Sequence, residues 1–283
     1  MEYTRRNFVK LSGLGLMISL TTVPRSEEFY SVFEDSSDII PFDLGIASYT
    51  FRKFSLDDTI KMTRRVGITK LTLKSMHMPL ESTPEEIRSI AARIREAGID
   101  LYGAGVIYMR TAGETDQAFN YAKAAGLRVI IGVPSHELLD YCNQKVRDFD
   151  IKLAIHNHGP GDELYPSPES VYTRVKDLDP RIGLCVDIGH TQRLGLDPIE
   201  ETAKYFDRLH DVHIKDEDAS NASGNTVEIG RGVIDIPGYL KMLIEKGYRG
   251  VTSFEYEKDE DDPLPGLAES VGYVRGVLKT FSQ

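Results

Sequence analysis

The sequence contains few cysteines, which limits what can hold the fold together. Of its 283 residues only Cys142 and Cys185 are cysteines, and two thiols exclude a disulfide framework. They fall in segments that we interpret below as a helix and a strand. We therefore expect both to be free, buried thiols.

Clusters of positive charge are also lacking. The formal net charge is −10 at pH 7, and no cluster of five or more Lys or Arg residues occurs. Proteins that bind nucleic acid use such clusters to displace phosphate counterions. The composition therefore argues against nucleic acid as a partner, while a hydrophobic share of 41% is ample for a globular core.

A hydrophobic run long enough to span a membrane is absent near the N terminus. The uncharged stretch 11–23 is shorter than the ~18 residues that a spanning helix needs. It follows Thr4–Lys10, which contains two adjacent arginines and resembles a twin-arginine export signal. We expect a signal peptide at 1–26, an acidic linker at 27–41 and a periplasmic mature protein without a stable membrane span. The alternative is a basic, partly buried N-terminal helix.

From residue 42 onward, short apolar runs alternate with amphipathic segments that open on Asp, Ser, Thr or Pro and close on Gly. This pattern is typical of alternating strands and helices. The predicted strands are Leu44–Phe51, Lys70–Ser75, Asp100–Val106, Arg128–Val133, Lys152–His158, Gly183–Gly189, Leu209–Lys215 and Val251–Tyr256. The predicted helices are Leu56–Val66, one between Thr83 and Gly98, Thr115–Ala125, Glu137–Phe149, Pro168–Leu178, Pro198–Phe206, Ile236–Lys246 and Gly266–Phe281.

Eight such units fit one (β/α)8 barrel, an α/β fold that commonly needs about 250 residues. No long Pro-rich or Ser-rich linker interrupts the series, so we predict a single domain over 42–283.

Ionisable residues interrupt the last four predicted strands, always toward their C-terminal ends. In a barrel these ends converge at one mouth, where chemistry takes place. Four independent buried polar groups would each need a partner, whereas one divalent ion satisfies all of them. A mixed set of imidazole and carboxylate ligands suits Mn, Fe, Co or Zn. The predicted metal ligands are His156, Asp187, His213 and Glu255.

The same segments carry a family resemblance that covers nearly everything after Phe42. The motifs LAIHNHGP, CVDIGH, HDVHIKD and FEYE resemble, in order and strand position, those of the xylose isomerase-like barrel superfamily. This superfamily includes sugar isomerases, epimerases, inosose dehydratases and abasic-site endonucleases. The resemblance implies that Asp187, His213 and Glu255 are metal ligands and that His190 supports the metal or binds substrate.

The sequence departs from the family at one position, because His156 stands where a glutamate is usual. In the epimerases two glutamates face the reacting carbon, and here only Glu255 remains. An imidazole whose lone pair binds a metal cannot also act as a base. Either His156 is a ligand and the second acid or base lies elsewhere, or His158 or His190 has that role.

Further residues near the predicted mouth are candidates for substrate binding. Some follow the first three strands, and others follow the ligand histidine or lie in the loop before the seventh helix. Alternatively, His77 and Tyr108 pack under a loop, and Lys215 and Arg231 are solvated surface charges. The candidates are Tyr49, Lys74, His77, Tyr108, Lys215 and Arg231.

The leading functional hypothesis is a metal-dependent isomerase or epimerase of a sugar or keto-sugar. Metal polarisation of a carbonyl acidifies the adjacent C–H, and Glu255, His158 or His190 then moves the proton. Loss of a β-oxygen instead would give a dehydratase or lyase acting on a keto-sugar or inosose. A non-catalytic sugar-binding barrel is a third hypothesis, and the acidic charge opposes a metal-dependent nuclease. The family resemblance allows homo-oligomers.

Overall fold

A computed structural model of the protein describes residues 40–281. Eight parallel strands form the barrel: β1 (Asp43–Ala47), β2 (Lys70–Leu73), β3 (Asp100–Met109), β4 (Val129–Pro134), β5 (Lys152–His156), β6 (Ile182–Asp187), β7 (Leu209–Ile214) and β10 (Val251–Phe254). Two short strands, β8 (Asp216–Glu217) and β9 (Thr226–Val227), lie between β7 and β10 in the chain and outside the barrel. The eight strands are neighbours in chain order, and β10 pairs with β1 to close the barrel. The predicted fold class is thus confirmed.

Helices connect successive strands around the outside of the barrel. They are α1 (Leu56–Arg65), α2 (Pro84–Glu96), α3 (Ala112–Ala125), α4 (Leu139–Phe149), α5 (Pro168–Val175), α6 (Ile188–Arg193), α7 (Pro198–Lys204), α8 (Ile236–Glu245) and α9 (Leu264–Thr280). Short 3-10 turns occupy Ser48–Phe51, His136–Leu138 and Phe206–Arg208. All eight predicted helices are present, with shifted ends.

Local sequence signals account for the start and end of these helices. At the start of α2 the Thr83 side chain accepts a hydrogen bond from the Glu86 backbone N–H, and the Glu86 carboxylate accepts one from the Thr83 backbone N–H. Gly126 ends α3 in the left-handed conformation, with φ of 65°. Strand β4 is buried along its whole length, as expected of an apolar strand inside a parallel barrel.

Two elements beyond the eight predicted units lie on the mouth side. Helix α6 follows β6 directly, and a two-stranded antiparallel hairpin of β8 (Asp216–Glu217) and β9 (Thr226–Val227) follows β7. Asp216 holds the loop after this hairpin, because its carboxylate accepts from the backbone N–H groups of Gly230, Gly232 and Ile234.

The predicted signal peptide at 1–26 and the linker up to residue 39 lie outside the described residues. Among residues 40–281, no helix is both long enough and apolar enough to cross a membrane.

Candidate metal centre

Four polar side chains meet at the carboxyl ends of four strands that are neighbours in the barrel. His156 ends β5, Asp187 ends β6, His213 lies one residue before the end of β7, and Glu255 follows β10. Because parallel strands bring these ends to one mouth, the side chains converge. All four are buried, with at most 6% of their surface exposed.

The distances between their donor atoms suit one ion. His156 Nε2 lies 3.1 Å from His213 Nδ1 and 3.4 Å from Asp187 Oδ2, and His213 Nδ1 lies 3.2 Å from Glu255 Oε2. All four donor atoms lie within 4.8 Å of one another. An ion with bonds of about 2.1 Å keeps adjacent ligands roughly 3.0–3.4 Å apart. Three of the six distances between donor atoms thus lie in the range that one divalent ion sets, and all four predicted ligands are brought together.

The charge of the cluster also fits a divalent cation. Asp187 and Glu255, together with Glu257, contribute three carboxylates, and Lys215 contributes one ammonium group. With both histidines neutral, as ligands must be, the formal charge is about −2, which is unfavourable in a mostly buried cluster unless a cation balances it. Burial opposes a charge on His213, but the Glu255 carboxylate raises the pKa of that imidazole, so a proton on His213 offsets part of the negative charge when no ion is bound. Asp187 Oδ2, fully buried, has no hydrogen bond of good geometry within the described chain, although the Lys215 ammonium lies 2.9 Å away.

His156 is in the protonation state that a ligand needs. Burial lowers the pKa of His156 to about 3, which keeps the imidazole neutral with a free lone pair. The Cys185 thiol also lies close to His156 and His213. Burial and the nearby Asp211 raise the pKa of Cys185 well above its usual value, so it stays a neutral thiol and a poor ligand.

Lys215 is a central member of the cluster and is 1% exposed. Its Nζ lies 2.8 Å from Glu255 Oε2 and 2.9 Å from Asp187 Oδ2, and it donates to Glu257. Burial opposes its charge, but the carboxylates of Asp187 and Glu255 outweigh burial and raise the pKa of Lys215. The structure therefore places Lys215 among carboxylates and not on the solvated surface.

Asn157 fixes the position of Asp187, although it is not among the predicted site residues. Its amide oxygen accepts from the Asp187 backbone N–H at 3.0 Å, and its amide nitrogen donates to Thr191 Oγ1 at 3.3 Å. Asp187 also caps α6, because its Oδ1 accepts from the His190 N–H at 2.7 Å. The HNH triplet, in which Asn157 lies between two candidate histidines, was the available signal.

Two further histidines lie beside the cluster. The His158 ring is 4.5 Å from the His156 ring, and the His190 ring lies 5.8 Å from His156 and 5.9 Å from His158. Burial lowers the pKa of both His158 and His190, which favours neutral imidazoles at neutral pH. Tyr108, 36% exposed, is within hydrogen-bond distance of His158, with 3.3 Å between its hydroxyl and Nε2.

The other substrate-binding candidates have different environments. Burial lowers the pKa of Lys74, which donates from Nζ to the Val106 carbonyl at 2.8 Å, and the charge of Glu255 opposes that shift. The Tyr49 ring lies 5.9 Å from the Lys74 ammonium.

His77 and Arg231 already have protein partners. His77 is buried and its ring nitrogens lie 2.9 Å from Ser48 Oγ and 3.1 Å from Thr59 Oγ1. Arg231 has a 60% exposed side chain that forms an ion pair with Glu269.

A closed (β/α)8 barrel with a buried His/Asp/Glu cluster at its mouth defines a class of TIM-barrel proteins with a candidate metal site. Residues 50–277 match the family model described as xylose isomerase-like TIM barrel. The chain therefore belongs to this family.

Curated relatives match part of the chain. An uncharacterized protein of Methanocaldococcus jannaschii is 30% identical over 122 residues, which are 40% of this chain and 40% of that protein. An inosose dehydratase of Clostridium botulinum is 26% identical over 151 residues, 48% of each chain. The chain thus matches less than half the length of these relatives.

Solved structures show the same fold. An L-ribulose 3-epimerase is 16% identical, with a TM-score of 0.70, and the match covers 85% of this chain and 95% of that chain. The IolI protein with a bound zinc atom is 17% identical, with a TM-score of 0.67, and the match covers 85% and 98% of the two chains.

Proposed function

We propose that the protein is a divalent-metal-dependent isomerase or epimerase that moves a proton beside the carbonyl of a sugar or keto-sugar. The observation that carries the proposal is the convergence of four buried side chains whose donor atoms lie within 4.8 Å of one another, those of His156, Asp187, His213 and Glu255. The names of two similar proteins support it, since one is a ketose epimerase and the other contains zinc.

These four residues would hold the ion, which when bound acts as a Lewis acid that polarises the carbonyl and acidifies the adjacent C–H. Glu255 stays ionised, because Lys215 and His213 lower its pKa more than burial raises it. A carboxylate held this acidic is a weak base. The neutral imidazole of His158 beside Tyr108 is therefore the second proton carrier that we assign, with His190 as its neighbour.

The position to which the proton returns decides the product. Return to the same carbon gives an epimer, and return to the neighbouring carbon gives an isomer. A dehydratase is the second candidate, favoured by the replacement of the second glutamate by His156 and by the similarity to an inosose dehydratase. In that case the His158–Tyr108 pair would protonate the leaving hydroxyl.

The twin-arginine motif extends the proposal to cellular location. We propose that the protein is exported and acts on sugars outside the cytoplasm. Cell fractionation tests this, and replacing Arg5 and Arg6 by lysine is expected to leave the protein in the cytoplasm. Unchanged export of that variant would refute the proposal.

Elemental analysis of the purified protein tests the metal centre. We expect about one divalent ion per chain in the wild type, loss in Asp187→Ala, and weaker binding in His156→Ala. His136→Ala, whose ring donates to the Leu164 carbonyl away from the cluster, is the matched control. An absence of metal in the wild type after reconstitution would refute the proposal.

Exchange of solvent deuterium into sugars tests the chemistry. The metal-loaded protein is incubated with L-ribulose, D-fructose or a keto-inositol in D2O, and NMR follows the C–H next to the carbonyl. We expect label at that carbon and a loss of about 100-fold or more in His158→Gln, which keeps all four proposed ligands, at equal metal content. Formation of an alkene signal without label in the substrate would favour the dehydratase.

A further inference from the structure

A cavity opens beside the metal centre, and most of its lining residues have no part in the proposed chemistry. Its volume is about 420 Å³, within the range of roughly 300–1,000 Å³ for small-molecule sites. Its walls come from the segments that follow three barrel strands. They include His190 and Arg193 of α6, Glu217 of β8, Thr226 of β9, and Glu257 and Lys258 after β10.

Two wall residues connect this cavity to the centre. His190 Nε2 lies 3.9 Å from Asp187 Oδ2, and Glu257 accepts a hydrogen bond from Lys215. A ligand that reaches the metal ligands therefore has room to extend into the cavity.

Three wall side chains contain buried polar atoms without a hydrogen-bond partner in the region 40–281. These are Nδ1 of His190, Nε of Arg193 and Oε2 of Glu217. An arginine Nε only donates, an imidazole nitrogen donates or accepts, and a carboxyl oxygen accepts or, when protonated, donates. Because a hydroxyl group does both, a ligand rich in hydroxyls matches this mixture, after small rotations of the terminal groups.

The charges of the wall do not favour an anionic ligand. Arg193 and Lys258 stand against Glu217 and Glu257, so the wall has no large excess of positive charge. Both cations also have partners: Lys258 pairs with Glu228 at 2.8 Å, and Arg193 donates to a backbone carbonyl at 3.1 Å. A phosphate or carboxylate group would need free cations or several convergent N–H donors.

We infer that this cavity binds an uncharged, hydroxyl-rich part of the substrate, a second sugar ring, so that the substrate is a disaccharide or other glycoside and not a sugar phosphate. The inference rests on the proposed function, because it places the reacting sugar at the metal centre.

Glu217 is the residue through which the inference is tested. It is 1% exposed, and its Oε1 accepts from Thr226 Oγ1 at 3.1 Å, which leaves Oε2 for the ligand. Burial raises the pKa of Glu217 to about 7, although the Lys215 charge opposes the shift. Its carboxyl group is thus able to donate to or accept from a sugar hydroxyl near neutral pH.

The experiment is calorimetric titration of the full-length, Mn²⁺-loaded protein with glucose, glucose 6-phosphate and a panel of α- and β-linked disaccharides: maltose, cellobiose, trehalose and lactose. We expect at least one disaccharide to bind about 10-fold more tightly than glucose, and glucose 6-phosphate to gain nothing over glucose. In Glu217→Leu the ratio of disaccharide affinity to glucose affinity should fall about 10-fold, whereas Glu217→Gln should keep most of that ratio. Glu245→Leu, on the exposed face of α8, is the matched control.

The outcomes separate this inference from the proposed function. Three results would overturn the inference that the cavity binds a second sugar ring. They are equal affinity for glucose and every disaccharide, tighter binding of glucose 6-phosphate than of glucose, and an unchanged affinity ratio in Glu217→Leu. Metal content and deuterium exchange in the same samples report on the proposed function, and they would remain intact in that case. Absence of metal together with absence of all sugar binding overturns both.

Discussion

The buried ammonium of Lys215 leads to a prediction that does not depend on knowing the substrate. In Lys215→Met the chain keeps an unbranched side chain of similar length but loses the charge. Asp187 and Glu255, which lie 2.9 and 2.8 Å from Nζ, are then left without their cation, as is Glu257. Without metal, and with the histidines counted as neutral, the formal charge of this cluster changes from about −2 to about −3.

The size of the effect follows from the burial of these groups. Removing one partner from a buried ion pair typically costs about 3–5 kcal/mol. For a domain of this size, 1 kcal/mol corresponds to roughly 2–4 °C in Tm, so the metal-free variant should melt about 6–20 °C below the metal-free wild type. At acidic pH the carboxylates take up protons and lose their charge, so the fall in Tm should lie toward the lower end of this range.

Metal should reverse part of this loss. In Lys215→Met a divalent ion no longer shares the three carboxylates with the Lys215 ammonium, so we expect about 10-fold or more tighter metal binding than in the wild type. The metal-induced rise in Tm should therefore be larger in the variant.

Differential scanning calorimetry with EDTA and with saturating Mn²⁺ measures both effects. Lys241→Met, an exposed lysine on α8 that pairs with Glu245, is the control. A metal-free variant that melts within about 2 °C of the wild type, or an equal metal-induced rise in both proteins, would show that Lys215 does not balance the cluster.

Two further predictions concern stability. Burial lowers the pKa of His210 to about 4 from an ordinary value of 6.5, so the unfolded chain binds more protons between these values. The stabilisation from neutral His210 is therefore present above pH 6.5 and is lost as the pH falls toward 4. As the pH is lowered, the urea midpoint of His210→Asn should fall less steeply than that of the wild type or of the control His136→Asn. Equal slopes in the three proteins would contradict this prediction. Gly189→Ala should lower the free energy of unfolding by about 1–3 kcal/mol, because an added Cβ would lie 2.4 Å from Lys215 Cγ. Gly272→Ala, where an added Cβ meets nothing within 4 Å, should be neutral or stabilising, and equal urea midpoints for the two alanine variants would contradict the packing argument.

The sequence predicted the barrel and the convergence of four polar groups because both depend on local pattern. Apolar runs with Gly-terminated helices between them predict parallel strands, and parallel strands bring their carboxyl ends together. His156 and Asp187 stood out because each ends an otherwise apolar run. Convergence therefore needed no knowledge of the distances.

The partner of each polar group was less accessible from sequence. Lys215 lies two residues after His213, a spacing that places side chains on the same side of a strand, and Glu257 follows Glu255 in the same way. That signal was available. However, the burial of Lys215 depends on its close contact with Gly189, which lies in another segment of the chain. A contact between distant segments cannot be read from the local sequence. The hairpin that carries Glu217 has only two residues per strand, too few for a periodic pattern.

The donor set also reports on the alignment of the barrel itself. Asp187 and His213 are direct partners in the pairing of β6 with β7, and His156 pairs with Cys185, two residues before Asp187. A slip of one residue in any of these strands would turn its donor toward the helices on the outside. Only one alignment of four separate strands brings all four donors to the same point. If the proposed metal site is correct, metal uptake during refolding will therefore report whether the strands have reached the correct register, without the need for a catalytic assay.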